Sequence, residues 1–215
     1  MTATVDLWRW RLDDPDPRSL SPDERARAAR FVHDRDRDRF VAGRARLRAI
    51  LAGYLGCAPG DIAFGYGAHG RPRVAGVHFN LSHTGDLAQL AVSRDLVPGV
   101  DIETVAPIDM AVARAHFSAN EVQALCALPE GARLAAFYRC WTRKEAFLKA
   151  LGTGLSTDLH SFAVTLAPGE PPAVLSCAGG DAGAWRLFDL APAPGVAGAL
   201  ALRCGGRDVR LAHHG

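Results

Sequence analysis

The chain has 215 residues and a mass of 22.9 kDa, which is enough for one large domain or two small ones with a buried core. Hydrophobic residues make up 48% of the sequence and charged residues 22%, values that exclude a disordered or fibrous chain. A net charge of +2 is too small for a nucleic-acid-binding protein that relies on bulk charge.

The basic residues are divided very unequally between arginine and lysine. Of the 25 basic residues, only Lys144 and Lys149 are lysine. A general bias toward arginine, alanine and glycine indicates GC-rich coding rather than chemistry. Two lysines five positions apart, kept against that bias, indicate a role for a compact ammonium group, in which arginine is a poor substitute.

The N-terminal segment and the cysteines bear on the cellular compartment. Charged residues occur within the first ten positions, and no window approaches about 18 uncharged apolar residues, so we expect neither a signal peptide nor a membrane span. The five cysteines form no CxxC pair, which is typical of reduced thiols and not of a zinc site. We therefore expect a cytoplasmic protein.

Signals for a strand and a helix open the chain. Alternating apolar and polar residues predict a strand over residues 5–11. Ser21, Pro22 and Glu24 match an N-cap, a first-turn proline and a capping box. The helix that they begin should run toward residues 31–32.

A second helix and several strands complete the first half. The charged run 33–39 joins or begins the second helix, which should end near Gly56. The stretch 65–72 is rich in turn residues and predicts a loop. Pro98 and Gly99 predict a break in the chain. Strands are predicted over residues 61–64, 78–81, 87–93 and 100–103.

The second half alternates between helices and strands. Ser118 and Glu121 form another capping box. Helices are predicted over residues 109–116, 122–127 and 132–151, the last of them ending at Gly152 and Gly154. Strands are predicted over residues 161–166, 184–190 and 197–203. Helices packed on antiparallel sheets predict an α+β fold, with a hinge near Pro98.

Two carboxylates lie on one predicted strand. Side chains alternate along a strand, so Asp101 and Glu103 point to one face and Ile102 to the other. Such a pair suits Mg²⁺ when phosphate oxygens complete its coordination. The alternative is a pair of exposed acids at a sheet edge.

The predicted helix over residues 132–151 carries a polar stripe. Trp141, Glu145 and Lys149 follow each other at four-residue spacing and share one helix face. A surface ion pair between Glu145 and Lys149 would contribute only about 0.3–0.5 kcal/mol. The scarcity of lysine favours a functional role for Glu145 and Lys149 over a surface ion pair. Lys144 is unusual because it falls on the apolar stripe of the same helix.

Two further motifs are suited to anions. Ser82 and His83 are adjacent on a strand and point to opposite faces, and no G-x-S-x-G elbow is present, which excludes a Ser-His hydrolase. A strand end with a histidine and a turn can instead hold an anion. Arg71, between Gly70 and Pro72, is an arginine at a tight turn and is equally suited to phosphate. Either motif alone is more often a plain turn.

Taken in this order, the motifs resemble the 4′-phosphopantetheinyl transferases of the surfactin-synthetase-activating type. The resemblance covers about residues 20–165 and includes Arg39. Its most specific part is D-x-E followed some forty residues later by W-x-x-K-E-A-x-x-K. The matching segments are residues 21–31, 70–72, 80–85, 99–103, 141–149 and 152–155.

The resemblance implies two similar α/β subdomains that form a pseudo-dimer with coenzyme A between them. Residues 1–98 would contact the nucleotide phosphates, and residues 99–215 would carry the metal and catalytic motifs. By resemblance, Asp101, Glu103 and Glu145 bind Mg²⁺. The residues implied to bind coenzyme A are Arg39, Arg71, Ser82, His83, Lys144 and Lys149, with Arg71 and His83 near the 3′-phosphate, Lys149 on the pyrophosphate, and Arg27 and Arg30 as weaker candidates. Lys144 either approaches the phosphates or braces the helix.

The implied activity is transfer of phosphopantetheine from coenzyme A to a serine of an acyl, peptidyl or polyketide carrier protein by a cytoplasmic monomer. Glu145, Lys149 and Asp101 would be the catalytic residues, with Glu145 as base, metal ligand or both. The alternatives are a Mg²⁺-dependent phosphohydrolase and a non-catalytic binding protein. Glu24 departs from the family pattern, which commonly has a basic residue at this position, and the segment after about residue 168 carries no family motif.

Overall fold

A computed structural model of the chain describes residues 2–153, 157–177 and 180–215. Its helices are α1 (Pro22–Ala28), α2 (Asp34–Leu55), α3 (Ala111–His116), α4 (Ala119–Ala127) and α5 (Glu130–Leu151). Its strands are β1 (Ala3–Arg11), β2 (Gly65–Tyr66), β3 (Pro72–Arg73), β4 (His78–Thr84), β5 (Leu87–Ser93), β6 (Pro98–Thr104), β7 (Phe162–Val164), β8 (Val174–Cys177), β9 (Trp185–Ala193), β10 (Val196–Arg203) and β11 (Val209–His214).

The strands form two main sheets, each with a long helix packed on one face. The first sheet has the order β11-β1-β5-β4 and the second β6-β10-β9, while β2-β3 and β7-β8 are short ribbons. Every pairing is antiparallel except that between β1 and β11. Apolar side chains of α2 pack on the first sheet, and those of α5 pack on the second. The predicted α+β class is confirmed.

Both predicted capping boxes are present. The Ser21 hydroxyl accepts from the Glu24 N–H while the Glu24 carboxylate accepts from the Ser21 N–H, and Ser118 and Glu121 repeat the arrangement. Helix α1 nevertheless ends at Ala28, short of the predicted residues 31–32. The chain turns there because the ring of Phe31 packs on that of Phe40 in α2, with centroids 5.4 Å apart.

Strands β4 and β6 join the two sheets side by side. The N–H groups of Val100, Ile102 and Thr104 in β6 donate to side-chain oxygens of β4. These acceptors are Asn80 Oδ1 at 2.7 Å, Ser82 Oγ at 3.3 Å and Thr84 Oγ1 at 3.0 Å, in the same order along the chain. The two strands therefore run in the same direction, and a cleft lies over their junction between the helices of the two halves.

Pro98 and Gly99 were expected to interrupt the chain, but they begin strand β6. Helix α5 crosses Gly99 so closely that a Cβ atom there would lie 2.0 Å from the Ala146 carbonyl oxygen and 2.3 Å from the Ala150 nitrogen. Only glycine permits this approach. The pair is a packing point between strand and helix, and the division of the chain at residue 98 stays a prediction.

The remaining differences lie where the sequence signal is short. Residues 61–64 form no strand, because a 3₁₀ turn at Pro59–Asp61 is followed by a stretch in which Phe64 covers Arg44 and Arg48. The loop 65–72 carries the small β2-β3 ribbon, and β8 and β11 were not predicted. Helix α5 ends at Gly152, in the left-handed conformation, as predicted, whereas Gly154 and Leu155 lie outside the described residues. Within the described ranges, no helix is long and apolar enough to span a membrane.

Candidate active site

Strand β6 and helix α5 bring the two predicted carboxylate motifs together. Ile102 is fully buried, so the neighbouring Asp101 and Glu103 share the opposite face of β6, as the alternation predicted. Helix α5 crosses this face. We call the resulting space of about 400 Å³ the acidic cavity, and it is lined by Leu81, Ser82, His83, Asp101, Glu103, Trp141, Glu145 and Lys149.

Asp101 is the most buried acid of this cavity, with 3% of its surface exposed. Its Oδ1 accepts from Lys149 Nζ at 2.6 Å and from the Ser82 hydroxyl at 3.0 Å. Its Oδ2 is buried and has no hydrogen-bond partner. Burial raises the pKa of Asp101, and the adjacent Lys149 ammonium opposes that rise. An unpartnered buried carboxylate oxygen is costly, so this atom is suited to receive a cation.

The two glutamates extend the negative charge of the acidic cavity. Burial and the charge of Asp101 raise the pKa of both Glu103 and Glu145. Glu103 is affected in addition by Glu145 itself. Three carboxylates facing one lysine therefore leave an excess of negative charge that a divalent cation would neutralise.

The donor set fits Mg²⁺ although the protein alone does not form a complete cage. No three ligating side chains are gathered closely enough to hold an ion within residues 2–153, 157–177 and 180–215. Mg²⁺ is commonly held by one or two carboxylates together with substrate phosphates and water. Asp101 with its free Oδ2, beside Glu103 and Glu145, supplies such a partial set of hard oxygen ligands.

A second, larger space adjoins the acidic cavity. We call this region of about 710 Å³ the arginine cavity, and it lies between α2, the end of α1 and the β4-β5 turn. Its lining is Leu12, Arg27, Phe31, Asp36, Arg39, Phe40, Gly43, Arg44, Tyr66, Gly70, Pro72, Leu81, His83, Thr84, Gly85 and Ala88. His83 and Leu81 border both cavities, so the two spaces adjoin along β4, and we refer to them together as the cleft.

Arg39 and His83 both line the arginine cavity, and their binding to coenzyme A stays a prediction. The guanidinium of Arg39 pairs with the Asp86 carboxylate at 2.6 and 2.7 Å. Partial desolvation, followed by the charges of Lys149 and Arg39, lowers the pKa of His83. Arg27 also lines this cavity, and its guanidinium covers the Phe40 ring at 5.0 Å. Arg30 is exposed, one residue beyond the C-cap of α1, and is absent from the lining.

Sequence reasoning missed Arg44 and Tyr66. Arg44 forms an ion pair with the buried Glu24 at 2.7 Å, and its Nη2 donates to the Tyr66 hydroxyl at 2.9 Å. Glu24 also pairs with Arg48 at 2.7 Å. The acid that stands where the family commonly has a basic residue therefore forms ion pairs with two arginines. The four-residue spacing of Phe40 and Arg44 on α2 was the available signal.

Lys144 is not in the cleft, which corrects its prediction as a coenzyme A ligand. The side chain is 1% exposed and lies on the core side of α5. Its Nζ donates to both Glu121 carboxylate oxygens at 2.7 and 2.9 Å and to the Phe162 carbonyl at 2.7 Å. Every donor is used within the core, so Lys144 braces α5 against α4 and β7.

Arg71 does not share a phosphate site with His83. Its neighbours Gly70 and Pro72 line the arginine cavity, but Arg71 itself does not. The guanidinium instead donates to the backbone carbonyls of Phe79, Pro98 and Lys149. The expected contact between Arg71 and the 3′-phosphate therefore has no support in this arrangement.

The raised pKa of Glu103 predicts a pH dependence of stability in the metal-free protein. The folded state holds this proton to higher pH than the unfolded chain, whose glutamates have a pKa of about 4.3. The stability associated with the protonated form is full below that value and is lost as pH rises through the raised pKa. We expect Glu103→Gln to flatten the loss of unfolding free energy with pH, measured in EDTA between about pH 4 and 7 by denaturant titration. Identical slopes in the two proteins would contradict the assignment.

Comparison with known protein families agrees with this geometry. Residues 98–202 match the profile of the 4′-phosphopantetheinyl transferase superfamily, and residues 16–95 match that of a 4′-phosphopantetheinyl transferase N-terminal region. The first match spans the strand and helix that line the acidic cavity, and the second spans most of the arginine cavity.

Three relatives illustrate the range of similarity. The 4′-phosphopantetheinyl transferase HetI of Nostoc sp. (strain PCC 7120 / SAG 25.82 / UTEX 2576) is 37% identical over 100% of this chain and 94% of its own length. The transferase Sfp of Bacillus subtilis (strain 168) is 33% identical over 68% of this chain, which spans 66% of the relative. The human L-aminoadipate-semialdehyde dehydrogenase-phosphopantetheinyl transferase is 32% identical over 70% of this chain and 54% of its own. With both cavities and both halves of the sequence matched, the chain belongs to the 4′-phosphopantetheinyl transferase superfamily.

Proposed function

We propose that this protein transfers the 4′-phosphopantetheine group of coenzyme A to a serine of an acyl, peptidyl or polyketide carrier protein. The reaction depends on Mg²⁺ and releases adenosine 3′,5′-bisphosphate. The observation that carries the proposal is the buried, unpartnered Oδ2 of Asp101, which lies beside two further carboxylates and Lys149 in the acidic cavity.

The arginine cavity is the proposed site of the nucleotide. Its volume of about 710 Å³ falls in the range of ordinary small-molecule pockets. Arg39 and His83 offer donors to the 3′-phosphate, and Arg39 is only half-buried, so it can turn from Asp86 to a ligand. Because His83 borders both cavities, a nucleotide bound here would extend its pyrophosphate over the acidic cavity.

Asp101, Glu103 and Glu145 would hold the metal ion, with the pyrophosphate supplying further oxygens. When bound, Mg²⁺ neutralises charge that accumulates on the two phosphates during transfer. Ser82 keeps Asp101 in place through its hydroxyl hydrogen bond at 3.0 Å. Trp141 is half-buried, lines the acidic cavity and forms a side-chain hydrogen bond with Glu103.

Positioning and charge stabilisation dominate the proposed reaction. The carrier serine oxygen attacks the β-phosphorus, which bears pantetheine, and the bond from that phosphorus to the bridging oxygen breaks. Glu145 accepts the serine proton, and its raised pKa brings it closer to neutral pH, where a general base is most effective. The Lys149 ammonium stabilises the charge on the departing nucleotide phosphate.

The proposal also assigns the two parts of the chain and their partners. Residues 1–98 would supply the nucleotide contacts, and residues 99–215 would supply the metal ligands, the base and Lys149. The protein would act as a cytoplasmic monomer whose partners are coenzyme A and the carrier protein, without nucleic acid or membrane.

The direct test is the mass of a carrier protein after incubation with this enzyme, coenzyme A and Mg²⁺. We expect the apo carrier to gain one phosphopantetheinyl group, and we expect no gain with EDTA or with a carrier whose acceptor serine is alanine. A phosphohydrolase would instead release adenosine 3′,5′-bisphosphate without any carrier. Unchanged masses across fatty-acid, polyketide and peptide carriers would overturn the proposal.

A further inference from the structure

Arg71 makes an unusual set of contacts where β4, β6 and α5 meet. It lies in the tight turn between β2 and β3, next to Gly70, whose φ of 74° is a left-handed conformation that favours glycine. One guanidinium nitrogen, Nη2, donates to the Pro98 carbonyl at 2.8 Å and to the Phe79 carbonyl at 3.3 Å. The other, Nη1, donates to the Lys149 carbonyl.

These three carbonyls belong to the three elements that build the acidic cavity. Phe79 lies in β4, which carries Ser82. Pro98 begins β6, which carries Asp101 and Glu103. Lys149 is in α5, which also carries Glu145. One side chain therefore ties together every element that contributes a polar group to the cavity.

The contact with α5 also has a clear electrostatic basis. The Lys149 carbonyl is among the last four of the helix, which have no partner within it, and the helix C-terminus carries partial negative charge. Within the described ranges, Arg71 forms no ion pair with a carboxylate, so backbone carbonyls alone meet its charge. Gly99 lets α5 approach closely enough for this contact.

Lys149 connects the contacts of Arg71 to the groups that take part in the proposed reaction. The Lys149 backbone is held by Arg71, while its Nζ lies 2.6 Å from Asp101 Oδ1 and 3.1 Å from Ser82 Oγ. A shift of the α5 terminus relative to β4 and β6 would change these two distances directly.

We propose that Arg71 is a positioning residue that holds Lys149 in register with Ser82 and Asp101, and that it does not contact coenzyme A. Its effect on catalysis rests on the proposed function. The placement of Lys149 does not, so it can be tested without any transfer assay.

The first test uses the scarcity of lysine. Labelling with [ε-¹³C, ζ-¹⁵N]lysine gives NMR signals from Lys144 and Lys149 only. We expect Arg71→Met and Arg71→Gln to move the Lys149 signal and leave that of Lys144, which reports an intact core. Arg73→Met is the matched control, because Arg73 is exposed in the same ribbon and makes no ion pair within the described ranges. An unmoved Lys149 signal in folded Arg71→Gln would overturn the proposal.

The second test separates positioning from phosphate binding. The ratio of kcat/KM for coenzyme A to that for 3′-dephospho-coenzyme A measures recognition of the 3′-phosphate. We expect Arg71→Gln to lower kcat about 10- to 100-fold with both substrates and to keep the wild-type ratio within about twofold. His83→Ala should lower the ratio and Arg73→Met should change neither value. A ratio near one in Arg71→Gln would show that Arg71 binds the 3′-phosphate, and would overturn the proposal. Failure of wild-type transfer would count against the proposed function and leave the NMR result decisive.

Discussion

Replacing Glu145 by glutamine should lower kcat for transfer by about 10²- to 10⁴-fold, the contribution typical of a general base. Glutamine keeps the shape of the side chain but cannot accept the serine proton or offer a carboxylate to the metal. Coenzyme A binding should remain measurable by calorimetry, because the nucleotide contacts lie in the arginine cavity. Burial and Asp101 disfavour the ionised form of Glu145, so the metal-free variant should be at least as heat-stable as the wild type.

The matched control is Glu130→Gln, at the exposed first turn of the same helix. It removes the same charge from α5 far from the acidic cavity, and we expect wild-type transfer. Turnover by Glu145→Gln within a few-fold of the wild type would reject the role assigned to Glu145. Loss of coenzyme A binding together with turnover would assign the residue to binding and leave the base unidentified.

Substitution by methionine should mainly lower stability at Lys144 and mainly lower activity at Lys149. Lys144→Met removes the only ammonium beside the buried Glu121 and should cost about 3–5 kcal/mol of unfolding free energy, the usual cost of breaking a buried ion pair. That loss corresponds to a fall in Tm of about 6–20 °C. Position 149 opens onto the acidic cavity, where solvent or a cation can reach Asp101. Lys149→Met should therefore lose less stability than Lys144→Met. It should nevertheless lower kcat by about 10²- to 10³-fold.

Both variants should be assayed well below their melting temperatures, with activity expressed per folded molecule. Folded Lys144→Met should retain transfer, and adding Glu121→Gln should recover part of its lost stability by removing the uncompensated charge. A Lys144→Met protein that is stable but inactive would show that Lys144 has a role in the active site. A stable and fully active Lys149→Met protein would contradict the catalytic role assigned to Lys149.

Local periodicity predicted the parts of the site that lie on one element. Asp101 and Glu103 share a face because strand side chains alternate, and Glu145 follows Trp141 on one helix face because of the four-residue spacing. The capping boxes at Ser21 and Ser118 placed two helix starts correctly for the same reason. Each of these features depends on residues fewer than ten positions apart.

Features that depend on distant packing were not predictable in this way. The end of α1 at Ala28 depends on Phe31 meeting Phe40, and β11 is a strand because it pairs with β1 from the opposite end of the chain. The segment 61–64 has strand-like composition but pairs with no strand among the residues that the structure describes. A strand requires a neighbour, and the sequence of the segment does not contain it.

The sequence by itself determined the family motifs, the α+β class and the two lysines as markers of the long helix. Only the tertiary structure separated the two lysines, because their fate depends on what packs against each side of α5. Glu121 and Phe162 enclose Lys144, whereas Asp101 and Ser82 meet Lys149. The tertiary structure likewise shows that Arg71 donates hydrogen bonds to three carbonyls that lie up to 78 positions away in sequence. The physical reason is that a charged side chain takes its role from its nearest neighbours, and in this fold those neighbours come from other elements.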